Sequence, residues 1–138
     1  MSFREELAAI IKEARETKLE QRDALAKART EARQWWGDFR TTAIAPALAD
    51  AVGAWREEGR VFASSGRKNG DAVYLAVRPH NKDPEHELTF RFNEDTGGVV
   101  CESSEKGLSE TYEKGMLTAE KVRDKIREFV RAAIENYI

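Results

Sequence analysis

Residues 2–36 read SFREELAAIIKEARETKLEQRDALAKARTEARQWW, and this stretch decides the architecture. It holds no glycine and no proline, and Ala, Glu, Lys, Arg, Leu and Gln dominate it. Those residues lose little on entering a helix, so the stretch predicts one long helix. A heptad register through Phe3, Leu7, Ile10, Ala14, Thr17, Gln21, Ala24, Ala28, Glu31 and Trp35 is apolar at seven of ten positions. An eleven-residue register through Phe3, Leu7, Ile10, Ala14, Lys18, Gln21, Leu25, Ala28, Ala32 and Trp36 is apolar at eight of ten and keeps Glu31 off the seam. The second register describes a nearly straight helix rather than a left-handed supercoil. Gln21 sits on either seam, with Thr17 or Lys18 beside it. So weak a middle predicts close or partial packing, not a leucine zipper.

Gly37 offers a helix stop, and Asp38 can cap a second helix. Residues 39–58 then carry Ile44, Leu48, Val52 and Trp55 at helical spacing, with Pro46 as a kink or a first-turn residue. The expectation is a helical hairpin. Beyond Gly59 the period changes to two. Val61–Ser65 reads as a short strand, and 64–71 as a turn centred on Asn69-Gly70. Residues 72–78 alternate through Val73, Leu75 and Val77. Residues 87–92 alternate through Leu88, Phe90 and Phe92, followed by a turn at 93–98. Residues 99–103 form a further strand, with a weaker one near 108–114. Thr118 caps a last helix whose stripe is Val122, Ile126, Phe129, Val130, Ala133, Ile134 and Tyr137. The fold class is therefore α+β. It comprises a long N-terminal helix and a second helix, then a four- to five-stranded antiparallel meander packed under a C-terminal amphipathic helix.

Lengths then conflict. A 35-residue helix spans about 50 Å, whereas the remaining residues make a globule with a radius of gyration of about 13 Å. Residues 1–36 are expected to overhang the 37–138 body as a dimerisation or docking element. The adjacent Trp35 and Trp36 point about 100° apart, so one can face the body and the other a second surface.

Composition excludes several classes. The chain has 138 residues, 41% of them hydrophobic and 35% charged, with a net charge of −2. That apolar content and charge balance oppose a disordered chain or a polycation. One cysteine cannot build a disulfide scaffold. The charged N-terminus lacks the apolar core of a signal peptide, and Ala43–Trp55 is too interrupted to span a bilayer. The expected setting is cytoplasmic, without a membrane. Near-neutrality hides a division: residues 60–82 carry five basic groups against one acidic, and 83–113 two against nine. Such a two-signed surface suits a protein partner.

No residue pattern announces catalysis. His80 and His86 flank Asp83 and Glu85 at a spacing that matches no metal-ligand pattern. Ser64, Ser65, Ser103, Ser104 and Ser109 lie in turn-like contexts, and none sits in a nucleophile elbow. The acidic pairs Glu57/Glu58, Glu94/Asp95 and Glu102/Glu105 read as solvated charges, and 93–97 lacks the alternation of a calcium loop. No cofactor or metal is expected. The reading is a non-enzymatic interaction module that binds itself, as a homodimer, or a protein partner. Its interface residues are Phe3, Leu7, Ile10, Ile11, Leu25, Trp35 and Trp36. An alternative is a nucleic-acid or anion-binding hairpin using Arg67, Lys68, Arg78 and Lys82. A third is a ligand site or enzyme on the sheet near Tyr74, His86 and Cys101.

Overall fold

A computed structural model describes residues 2–58, 62–78 and 85–137, apart from the side chains of residues 70, 136 and 137. Its first element, α1 (Phe3–Phe39), begins at a Ser2 cap whose hydroxyl accepts from the Glu5 N–H at 3.2 Å. The expected stop at Gly37 does not occur. A five-residue π segment, Arg40–Ile44, carries the helix directly into α2 (Ala45–Glu57). The expected hairpin is thus replaced by one helical run.

The reasons are local and tertiary. Gly37 has a helical backbone here, and the Arg40 N–H donates to the carbonyls of Trp36 and Gly37. Pro46 has no N–H and crowds the preceding turn, which a wider turn accommodates. The Ala45 N–H accordingly reaches back five residues to the Arg40 carbonyl. Trp36 on one side of the segment and Ile44 within it are both buried in the same core, so packing holds the run together. A methyl group added at Gly37 or Gly53 would meet no atom within 4 Å. Gly37→Ala and Gly53→Ala are each expected to stabilise the chain by about 0.5–1 kcal/mol, through the unfolded-state entropy that glycine carries. An unchanged or lowered urea midpoint would contradict the uninterrupted helix.

Among the described residues the sheet has five antiparallel strands in sequential order. They are β1 (Phe62–Lys68), β2 (Ala72–Arg78), β3 (His86–Phe92), β4 (Val99–Ser103) and β5 (Glu110–Tyr112). β1 runs three residues beyond the expected Ser65, and Val61 lies outside the described residues. Lys68 pairs with Ala72, so the first hairpin closes through three residues. Asp71 takes the left-handed position at φ 63°, which aspartate tolerates better than most residues. α3 (Ala119–Tyr137) starts where Thr118 caps it, the Lys121 N–H donating to the Thr118 hydroxyl at 3.2 Å.

α2 packs on β1 and β2, and α3 on β3 and α2, so both helices cover one sheet face. Leu48, Val52, Val122 and Phe129 meet Val73, Leu75, Val77, Leu88, Phe90 and Cys101 there. Large apolar residues on the helix-covered face alternate with small or polar ones on the other, among them the buried Ala72, Ala76 and Thr89, and this explains the period of two in the sequence. The side chain of Tyr137, expected on the α3 stripe, lies outside the described residues.

Candidate interaction surface

Among the described residues the body grips α1 near its end. The β3–β4 turn, where Asn93 Oδ1 accepts the N–H groups of Asp95 and Thr96, presents two carboxylates to the helix. Arg33 meets Glu94 at 2.7 Å, and Arg29 meets Asp95 at 3.0 Å. The Glu94/Asp95 pair stays exposed, as expected of solvated charges, and adds two surface ion pairs at the helix root. Trp36 is 2% exposed, stacks on Phe92 at 5.5 Å, and donates its Nε1–H to the Asp71 carbonyl at 3.0 Å. Arg40 and Arg67 both meet Asp71 Oδ1, at 3.1 and 2.8 Å.

These bonds hold two carboxylates below their ordinary range: Asp71 chiefly through Arg67, and Glu94 through Arg33. A carboxylate whose folded pKa is depressed stabilises the fold above its unfolded value, and that contribution is lost as pH falls through the folded one. The root is therefore expected to hold fully above the ordinary glutamate value of 4.5 and to weaken below it. An Asp71→Asn, Glu94→Gln variant should show a shallower acid decline of the urea midpoint between about pH 6 and pH 3. Parallel declines in variant and parent would refute the assignment.

Residues 2–28 all stand exposed, a projection of about 40 Å at helical rise. Its large apolar side chains run from 41% exposed at Leu7 to 73% at Phe3, with Ile10, Ile11, Leu19 and Leu25 between. Five of the seven expected interface residues therefore share this arm. Leu19, on neither apolar register, joins them. Trp36 leaves the set, because it belongs to the core and its indole is already hydrogen-bonded. Trp35 is half-buried and stacked on Phe39 at 5.0 Å, at the foot of the arm.

Charge is sorted around the arm. At 100° per residue, Arg4, Arg15, Lys18 and Arg22 fall along one border of the apolar stripe, and Glu6, Glu13 and Glu20 along the other. Sequence reading missed this division because the total charge of 1–36 is nearly zero.

A second apolar surface lies between α2 and α3. It is a groove of about 480 Å³ floored by Ala47, Ala51, Trp55, Ile126 and Val130, with Ala54 and Ile134 exposed at its lips. Its α2 wall carries Asp50 and Glu58, and its α3 wall Arg123, Arg127 and Arg131. No sequence signal could expose this groove, since residues about 70 positions apart build it.

The other expected sites are differently furnished. Arg67 is paired with Asp71, Lys68 with Glu87, and Arg78 lies 3.6 Å from Glu85. Lys82 and His80 lie outside the described residues. Three hairpin cations thus already face carboxylates of the chain, which weakens the field an anion would meet. His86 pairs with the buried Glu105. Cys101 is fully buried, and burial pushes its thiol up to about 12, leaving it a poor nucleophile. Among the described residues no group of His, Cys, Asp and Glu is arranged to hold a metal, and no helix is long and apolar enough to cross a membrane. No known protein family, curated protein or solved structure matches the chain.

Proposed function

We propose that the chain is a non-enzymatic protein–protein interaction module that self-associates through the projecting arm of α1. The observation that carries this reading is the uncovered row Phe3, Leu7, Ile10, Ile11 and Leu25 on the exposed 2–28 portion of the helix. Fully burying a large aliphatic or aromatic side chain is worth about 1.5–3 kcal/mol. These five are 41–73% exposed, so covering them contributes a part of that each toward the entropy of association. Clustered exposed apolar residues on a surface rich in charge support a binding role over a purely structural one.

Light scattering on a sizing column is the test. The full chain is expected to elute at micromolar concentration with at least twice its 15.6 kDa monomer mass. A Leu7→Glu, Ile10→Glu variant should return to the monomer with unchanged circular dichroism, because both residues stand clear of the body. A parent chain that is monomeric throughout the micromolar range would overturn the proposal.

A further inference from the structure

We infer that the arm of one copy docks, through residues 3–14, into the α2/α3 groove of a second copy. This inference rests on the proposed self-association and names its acceptor.

Pairing arm against arm fails in both directions. In an antiparallel pair each border of a helix faces the same border of its partner. Arg4, Arg15, Lys18 and Arg22 would then face their own copies, as would Glu6, Glu13 and Glu20. A parallel pair sets unlike borders together, but the body stands in the way. Ala14 and Ala32 are 18 residues apart, five whole turns, and therefore point in one direction. Ala32 is buried against the body, as is Trp36, which lies five turns beyond Lys18. The body thus occupies the continuation of the apolar stripe, where the parallel partner would run.

The groove meets both requirements. It spans Ala47–Glu58 on one wall and Arg123–Ile134 on the other, twelve residues each, or about 18 Å. Phe3 to Ala14 is also twelve residues long and holds the most apolar part of the arm. The groove's apolar floor suits Phe3, Leu7 and Ile10. Its acidic α2 wall matches the border carrying Arg4, with Arg15 one residue past the docked segment, and its basic α3 wall the border carrying Glu6 and Glu13. Arg127 pairs with Glu120 and Asp124 on its own helix. Those exposed pairs are weak enough to exchange. Opposite charges on both walls fix which way the helix is seated, a selectivity that apolar contact alone lacks. The contact joins two different surfaces, so each copy offers one arm and one groove.

Complementation between two full-length variants tests this. The arm variant is Leu7→Glu, Ile10→Glu. The groove variant is Ala54→Glu, Ile134→Glu, both at exposed positions. Each alone is expected to lose self-affinity by more than about tenfold, and an equimolar mixture to regain a one-to-one pair in sedimentation velocity. The mixture holds one intact arm beside one intact groove, which neither variant has with its own kind. Ile134→Glu alone should act in the same direction, and circular dichroism checks that each variant is folded. A groove variant that associates like the parent, or a mixture that stays monomeric, overturns the groove as acceptor while leaving self-association standing. A monomeric parent overturns the underlying reading itself.

Discussion

Trp36→Ala is expected to remove about 3–5 kcal/mol of stability, the usual loss when a buried aromatic is truncated in a core. The indole is 2% exposed and lies nearly parallel to Phe92, at 8° and 5.5 Å. Its Nε1–H also fills the Asp71 carbonyl at the tip of the first hairpin. Truncation therefore opens a cavity between α1 and β3 and leaves that carbonyl without its indole donor. Trp36→Phe separates the two effects: it keeps most of the packing and loses the hydrogen bond, a net of about 1 kcal/mol. Trp35 is half-buried, and its alanine variant should lose less than Trp36→Ala. Urea denaturation of the three variants checks the order. A Trp36→Ala loss below about 1 kcal/mol would mean that the root of α1 is not part of the core, since only surface sites are so tolerant.

Phe129→Ala is the second large effect, again about 3–5 kcal/mol. Phe129 is fully buried on α3 in the cluster that contains Leu48, Leu88 and Phe90, where both helices meet the sheet. Ile134, five residues on, is 40% exposed at the groove lip, and its alanine variant should change stability by no more than about 0.5 kcal/mol. The contrast matters for the groove, because it separates residues that hold α3 in place from residues that line an acceptor. Domains of this size have a total stability of about 5–15 kcal/mol, so Trp36→Ala combined with Phe129→Ala should be largely unfolded. Comparable losses at Phe129 and Ile134 would contradict the assignment of one face of α3 to the core and its border to a surface.

The legible parts of this fold share one property: their pattern has a single local cause. β2 at 72–78 and β4 at 99–103 coincide with their expected bounds, because Val73, Leu75 and Val77 of one and Val99 and Cys101 of the other enter the core at alternate positions. Thr118 is legible as a cap because its hydroxyl serves a donor only three residues away. The break expected at Gly37 fails for the converse reason. Glycine makes a turn inexpensive without requiring one, and Trp36 and Ile44 are drawn into one core on either side of it. The tip of the first hairpin was visible as Asn69-Gly70. The residue that takes the left-handed backbone is Asp71, whose carboxylate and carbonyl then collect Arg40, Arg67 and Trp36.

The helicity and amphipathy of α1 were set by residues 2–36 on their own, since helix propensity and periodicity are properties of neighbours along the chain. So was the conclusion that a body of this size cannot cover such a helix. Which of its turns are covered was decided only in three dimensions. Ala32 and Trp36 continue the same stripe as Ala14 and Lys18, yet the body takes the first pair and leaves the second in water. The groove between α2 and α3 has the same origin: its walls are far apart in sequence, and only the packing of two helices on one sheet brings an acidic and a basic border to either side of an apolar floor.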